Sequence, residues 1–221
     1  MNNTLTDLAK SLLEIKSISP QDNGCFDVVE SHLNKMGFIS KRINYLNVEN
    51  IYSTIGTKGP MFCFLGHTDV VPSGPVDQWD IDPFKPEIRD GYLIGRGAAD
   101  MKGAVATFIV AAKEFLHENP NPNFRICIFL TSNEEGEPSD GKINKIIKDL
   151  QAAGEHIDYC LVGEASSSSK LADTIRLGRR GSLSGTLTIK GKQGHVAYPD
   201  KVNNPIHLSG KIIDWLKEKN W

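Results

Sequence analysis

The sequence predicts an α/β protein in which helices cover both faces of a mixed, mostly parallel sheet, followed by the start of a smaller α+β domain. Three observations lead to this prediction. Apolar runs typical of buried strands alternate with amphipathic helical segments. Acidic residues or histidine, rather than simple turn residues, follow the buried runs. After Glu164 the pattern changes to alternating apolar and polar residues, as in a sheet with one solvated face.

The elements of the larger part follow in order along the chain. Two helices open it, and the second stops at Gly37, which is a favourable C-cap. Extended segments are predicted at 39–43, 50–55, 61–65, 92–94, 125–131 and 158–162. Further helices are predicted at about 103–117 and 143–150. Residues 72–91 are rich in Pro, Asp and Gly and are predicted to form a long surface loop.

We place a domain boundary near Arg179–Arg180, which divides the chain into residues 1–179 and 180–221. Alternating residues predict strands at 174–177 and 182–190, and a helix at 205–218 closes the chain. One hairpin-like unit and one helix are few for an independent domain. We therefore expect the chain to be truncated, with both domains incomplete.

The composition excludes several classes of function. The chain carries 25 basic and 27 acidic residues, a formal net charge of −2, so no basic surface for nucleic acid or anionic membranes is expected. No apolar run approaches the roughly 20 residues of a membrane helix, and the N-terminus does not resemble a secretory signal. The four cysteines stand singly, three of them in apolar runs, which predicts a reduced, cytoplasmic protein with buried thiols.

Side chains of types that can bind metals stand at four separate places, after predicted strands or just before a predicted helix. They are His67 with Asp69, then Asp100, then Glu134 with Glu135, and finally Glu164. Because ligand sites of α/β sheets collect beyond the carboxyl ends of the strands, we expect these side chains to converge. Singly, each has an ordinary explanation, namely a surface turn, a solvated pair of glutamates or an aspartate that caps a helix. Together they predict a metal site.

The ligand types suggest a division of roles. One histidine with several carboxylates suits Zn²⁺ or a similar divalent cation, and Asp69 can fix the tautomer of His67 from the far side of its ring. Asp100 can bridge two ions, with one oxygen on each. Adjacent glutamates cannot easily face the same ion. Glu135 is therefore predicted as a ligand and Glu134 as the general base that activates water.

Four motifs in this order, GHTDVVP, GRGAADMKG, TSNEEG and VGE, resemble the dinuclear-zinc family that includes aminoacylases, acetylornithine deacetylase and glutamate carboxypeptidases. Within that family, LGRRGSL and KGKQGHVAYP look most like the bacterial succinyl-diaminopimelate desuccinylases. The resemblance covers essentially the whole chain. It implies a zinc-exopeptidase-like fold, with a catalytic metal-binding domain over 1–179 and the start of a lid or dimerisation domain over 180–221.

The resemblance also implies two Zn²⁺ ions, with Co²⁺ as a substitute. His67, Asp100 and Glu164 would hold one ion, and Asp100 and Glu135 would hold the other. Asp69 and Glu134 match the supporting position and the base. The Asp100–Met101 peptide bond is expected to be cis.

Two further residues match positions that contact substrate. His195 matches a histidine that reaches the partner's active site in a homodimer and stabilises the oxyanion; taken alone, it would be a turn histidine bonded to backbone groups. Arg179 matches a basic position thought to engage a substrate carboxylate, although a hinge salt bridge would use the same residue.

The chain also departs from the family pattern. Asn133 stands where members often have Asp, and Ala165–Ser166 replaces a common Pro-Thr or Pro-Ser. The family's final histidine ligand has no counterpart, because His207, the only later histidine, lies in the closing helix. We therefore expect the second zinc site to lack one ligand, and the chain by itself to show little or no activity.

The implied activity is hydrolysis of the succinyl amide of N-succinyl-LL-2,6-diaminopimelate to succinate and LL-2,6-diaminopimelate, a step of lysine and diaminopimelate biosynthesis. Two alternatives remain open. One is another amide hydrolase of the family, such as acetylornithine deacetylase or an N-acyl amino acid hydrolase. The other is an inactive zinc-binding fragment.

Overall fold

A computed structural model describes residues 3–136, 142–178 and 184–219. The chain divides into two compact units, residues 1–175 and 176–221. The first unit contains all seven of the strands assigned within the described residues, and the second contains the closing helix.

A mixed five-stranded sheet forms the centre of the first unit, beside a separate two-stranded hairpin. The strands are β1 (Ile39–Arg42), β2 (Asn50–Ile55), β3 (Met61–His67), β4 (Glu87–Arg89), β5 (Tyr92–Ile94), β6 (Arg125–Thr131) and β7 (Tyr159–Val162). The strand order is β1–β2–β6–β3–β7, and β4 pairs with β5. β1, β2 and β6 pair antiparallel, whereas β6, β3 and β7 pair parallel. The predicted mixed sheet is confirmed, and half of its four strand pairings are parallel.

Helices cover both faces of the sheet, as the apolar runs predict. The helices of the first unit are α1 (Asn3–Leu13), α2 (Cys25–Asn34), α3 (Gly103–Glu118) and α4 (Lys142–Ala152). One core joins the first three to alternate strand residues, among them Ile51, Phe64, Ile126, Ile128 and Leu130. The core on the other face joins α4 to Tyr52, Met61, Cys63, Cys127 and Phe129. No helix within the described ranges is long and apolar enough to cross a membrane.

The segment 72–91, predicted as a loop, contains regular structure. It includes a short 3₁₀ turn at Val76–Gln78 and the strand β4. Asp90 and Gly91 connect β4 to β5, with φ values of 52° and 82°. Two central residues with positive φ are typical of a tight hairpin turn, for which Asp-Gly is a strong sequence signal. The prediction of a loop was wrong for residues 87–91, because Asp90 and Gly91 form a tight turn that lets β4 pair with β5.

The strands predicted at 174–177 and 182–190 are not formed by the residues that the structure describes, and residues 182–183 lie outside that part of the chain. Within the described ranges, 174–178 and 184–190 have no strand, and the only backbone bridge of the second unit joins Lys192 to Asn203. Alternation defines two faces, but a strand also needs a neighbouring strand for its hydrogen bonds. The predicted closing helix is confirmed as α5 (Pro205–Lys217), whose Asn204 side chain accepts a hydrogen bond from the Ile206 amide at 2.9 Å.

β7 differs from the buried strand that its composition predicts. Cys25, Cys63 and Cys127 are buried, but Cys160 is exposed, and so are Tyr159 and Leu161. Among the described strands, β7 lies at the edge of the sheet and pairs with β3. The prediction of buried thiols therefore fails for Cys160, because an apolar run does not reveal whether its strand will be central or at an edge.

Candidate metal centre

The carboxyl ends of three adjacent parallel strands bring the candidate ligands to one edge of the sheet. His67 is the last residue of β3, Glu134 and Glu135 follow the end of β6, and Glu164 follows the end of β7. Asp100 lies in an irregular turn that leads into α3. Its peptide bond to the next residue is cis, as expected. Segments that are far apart in the chain thus place four carboxylates around one imidazole.

The His67 ring is oriented for coordination through Nε2. The side chain is 1% exposed, and its Nδ1 lies 3.0 Å from the backbone oxygen of Asp69. A carbonyl oxygen can only accept, so Nδ1 carries the proton in the neutral ring and Nε2 keeps its lone pair. Nε2 lies 3.1 Å from Asp100 Oδ1 and 3.5 Å from Glu164 Oε1. The lone pair therefore faces two carboxylates across a gap that suits a cation.

Two groups of three candidate ligands share this histidine. One comprises His67, Asp100 and Glu164, and the other comprises His67, Glu134 and Glu135. Within each group, the ligand atoms all lie within 4.8 Å of one another. Imidazole and carboxylate are the ligand types of Zn²⁺ and similar ions, so the donor set fits a divalent cation.

Asp69 connects the histidine to the turn that carries the two glutamates. Its side chain is fully buried, and its Oδ1 lies 3.5 Å from His67 Nδ1. The backbone amide of Glu134 donates to Oδ1 and that of Glu135 donates to Oδ2, both at 3.0 Å. The hydroxyl of Ser19 also donates to Oδ2. Burial raises the pKa of the Asp69 carboxyl, but its interaction with the His67 ring, followed by the hydrogen bonds from Ser19 and the two amides, outweighs burial, and the net pKa is lowered.

The titration of the site reflects its excess of negative charge. Burial lowers the pKa of His67, but the hydrogen bond and charge of Asp69, together with the charge of Glu164, raise it to about 9. Burial and the charge of Asp100 raise the pKa of the Glu135 carboxyl. In the metal-free chain, protons bound by these side chains therefore offset part of the negative charge of the site.

Metal binding is consequently expected to release protons. An imidazole must be deprotonated to bind a metal, so apparent affinity should rise as pH approaches about 9. The raised pKa of His67 also stabilises the metal-free fold. This stabilisation is fully present at pH values below 6.5, the ordinary pKa of histidine, and is lost as pH rises through about 9. Calorimetric zinc titration at pH 7 in buffers of different ionisation enthalpy measures the release. An enthalpy independent of the buffer would contradict the expectation.

Two glycines make room for Met101, which follows Asp100 in the chain. Gly66 precedes His67 on β3, and Gly163 precedes Glu164 after β7. A Cβ at Gly66 would lie 2.6 Å from Met101 Cε, and one at Gly163 would lie 2.7 Å from it. The Met101 side chain is completely buried. Small residues next to two of the ligands therefore allow the turn that carries Asp100 to pack against the sheet.

Replacing Gly163 by alanine is expected to destabilise the fold. The new methyl group would lie 2.4 Å from Cζ of the Phe64 ring, which cannot move aside as a flexible side chain could. Overpacking of this kind typically costs about 1–3 kcal/mol. Urea unfolding measures the change. Gly178→Ala is the matched control, because a Cβ there meets nothing within 4 Å. Equal free energies of unfolding for the two variants would contradict the packing argument.

Neither of the two residues expected to contact substrate lies in the described part of the first unit. Arg179 lies outside the described residues. His195 belongs to the second unit, where it is exposed and its Nδ1 accepts a hydrogen bond from the Ala197 amide at 3.1 Å. Its ring also lies beside that of Tyr198, with 5.9 Å between centroids.

Sequence reasoning did not identify two residues that support the centre. Ser19 contacts Asp69 from a loop 50 positions earlier in the chain. Lys102 is completely buried, and its Nζ donates to the backbone oxygens of Leu12 and Ile15, each at 2.8 Å. For Lys102 the sequence contained one indication, a lysine at the start of an otherwise apolar helix. If such a lysine is buried, its ammonium group needs specific hydrogen-bond partners.

Comparisons with known proteins agree with the geometry. The sequence profile of Peptidase family M20/M25/M40 matches residues 63–218. A succinyl-diaminopimelate desuccinylase of Nitrosomonas eutropha is 50% identical over 220 residues, and that of Nitrosomonas europaea is 47% identical over 221. Both alignments cover 100% of this chain and 58% of the relative, so the chain spans little more than half the length of these relatives.

The fold also occurs among solved structures. Human carnosine dipeptidase 1 superposes with a TM-score of 0.64 and 24% sequence identity, over 76% of this chain and 40% of that one. This likeness concerns the fold alone. The profile match extends over more than half of the chain and includes all the candidate ligands. The chain therefore belongs to peptidase family M20/M25/M40.

Proposed function

We propose that the chain carries most of the dinuclear metal centre of an amide hydrolase. His67, Asp100 and Glu164 would hold one Zn²⁺, and Asp100 and Glu135 would hold the second, with Co²⁺ as a substitute. The observation that carries the proposal is the His67 ring, whose Nε2 faces the carboxylates of Asp100 and Glu164 at 3.1 and 3.5 Å. Asp100 and Glu135 belong to the two groups of candidate ligands that share His67, and this supports neighbouring sites.

Glu134 is proposed as the general base. It adjoins Glu135 and lies in the same group as His67, so its carboxylate is within reach of water at the centre. A bound divalent cation supplies Lewis acidity for the amide carbonyl and the attacking water. Glu134 accepts the proton that the water loses as its oxygen attacks the carbonyl carbon. It then donates that proton to the amide nitrogen, which leaves as an amine when the C–N bond breaks.

The proposed substrate of the whole protein is N-succinyl-LL-2,6-diaminopimelate, cleaved to succinate and LL-2,6-diaminopimelate in lysine and diaminopimelate biosynthesis. Relatives named desuccinylases, 47% and 50% identical across the entire chain, support this choice. The test is to assay the full-length protein containing this segment with succinyl-diaminopimelate beside acetylornithine. Preferred turnover of the succinyl substrate is expected. Turnover of acetylornithine alone would assign a different amide hydrolase.

The remaining proposals concern the assembled protein. Residues 1–179 are proposed as the incomplete catalytic domain and 180–221 as the beginning of a lid or dimerisation domain of a cytoplasmic homodimer. His195 would stabilise the oxyanion in the partner's active site, and Arg179 would bind a substrate carboxylate. We further propose that the second zinc site lacks a final histidine ligand in this chain, and that the chain alone therefore has little or no activity. An activity assay of the chain alone, with zinc added, checks that.

A further inference from the structure

The loop between α1 and α2 is bonded to the segment that follows His67. Ser19 N donates to Val70 O at 3.2 Å, and Val70 N donates to Ser17 O at 2.9 Å. The buried hydroxyl of Ser17 donates to Thr68 O at 2.7 Å. The three residues after His67 are therefore each bonded to this loop, since Asp69 accepts from the Ser19 hydroxyl.

The acceptor atoms of Asp69 are divided between its neighbours. Oδ1 accepts from the Glu134 amide, while Oδ2 accepts from both the Glu135 amide and the Ser19 hydroxyl. Of these three donors, two are backbone amides of the glutamates. The third is the hydroxyl of Ser19, a side chain that is not itself a candidate ligand. A buried carboxylate keeps its orientation only where its hydrogen bonds hold it, so each donor constrains the rotation of the group.

Ser19 also lies near the far end of the turn that carries the glutamates. Its Cβ lies 3.1 Å from the position that a Cβ on Gly136 would occupy. The Ser19 side chain is thus placed against both the Asp69 carboxylate and the 134–136 turn. A change at Ser19 would therefore be transmitted to both groups of candidate ligands, through the His67 ring and through the turn.

We propose that Ser19 is a positioning residue of the metal centre, whose hydroxyl fixes the Asp69 carboxylate and, through it, the His67 ring and the Glu134–Glu135 turn. The inference rests on the proposed metal-binding function. Partners that orient metal ligands in this way typically contribute 10- to 100-fold in affinity, and we expect an effect of about that size here.

The test is calorimetric zinc titration of this chain and three variants. Ser19→Ala removes the hydroxyl, and Ser19→Thr keeps it. Ser11→Ala is the matched control, because Ser11 Oγ donates to Leu8 O within α1, away from the centre. Zinc affinity is expected to fall about 10- to 100-fold in Ser19→Ala and to remain close to that of the unmodified chain in the other two. The Co²⁺ absorption spectrum, which reports coordination geometry, is expected to change only in Ser19→Ala.

Each other result has a distinct meaning. Unchanged affinity and an unchanged Co²⁺ spectrum in Ser19→Ala would overturn the inference while leaving the proposed function intact. Equal losses in Ser19→Ala and Ser19→Thr would also overturn it, because the hydroxyl would then be irrelevant. Failure of the unmodified chain to bind zinc would instead contradict the proposed function. Circular dichroism of each variant separates loss of binding from loss of folding.

Discussion

Replacing Glu134 by glutamine in the full-length protein is expected to lower kcat by about 10²- to 10⁴-fold, the usual contribution of a general base. Glutamine keeps the size of the side chain but cannot accept the proton that the attacking water loses. The backbone amide of Glu134 would still donate to Asp69, so the turn is expected to keep its position. Steady-state kinetics measure the effect, and zinc content is determined on the same samples.

The comparison with Glu135→Gln distinguishes loss of the general base from loss of a metal ligand. Zinc content is expected to remain unchanged in Glu134→Gln and to fall in Glu135→Gln, because only the second residue is proposed as a ligand. Glu118→Gln, at the exposed end of α3, is the control for loss of a glutamate elsewhere. Loss of zinc from Glu134→Gln would make that residue a ligand instead of the base, an arrangement that its grouping with His67 and Glu135 would also permit.

Replacing Lys102 by methionine is expected to lower the free energy of unfolding by about 1.5–3 kcal/mol, the range for hydrogen bonds that involve a charged group. The ammonium group donates to two carbonyl oxygens at the end of α1, where the helix dipole favours positive charge. Methionine fills similar space but leaves the Leu12 and Ile15 oxygens without this donor. Urea unfolding in the presence of EDTA measures the change without a contribution from bound metal.

Lys113→Met is the control for this experiment, because Lys113 is exposed on α3, the helix that follows Lys102. We expect the control to change stability by no more than about 0.5 kcal/mol, as is usual for surface substitutions. A similarly small change in Lys102→Met would contradict the view that the buried ammonium joins α1 to the turn that carries Asp100.

The candidate ligands could be predicted from sequence because each directly follows a recognisable apolar run or precedes a helix. The run 125–131, for example, coincides with β6, and Glu134 and Glu135 lie just beyond it. Parallel pairing of β6, β3 and β7 then brings the carboxyl ends of these strands together. Local sequence patterns were therefore sufficient to predict which side chains lie there.

The features that were missed depend on contacts between distant parts of the chain. Lys102 reaches Leu12, 90 residues earlier, and no local pattern records that distance. The position of β7 at the edge exposes Cys160, although its apolar run resembles that of a central strand. The segments 174–178 and 184–190 lack strand pairing despite their alternation. In each case, a neighbour rather than the segment's own sequence decides the outcome.

Zinc titration of the chain by calorimetry, beside His67→Ala, tests most directly the claim that these turns form a metal centre. One tightly bound ion and a second, weaker one are expected, because we propose three protein ligands for the first site and two for the second. His67→Ala is expected to weaken the tight site by at least about tenfold, whereas His117→Ala, an exposed control on α3, leaves it unchanged. Two equally tight ions, or tight binding that survives the loss of His67, would contradict the account.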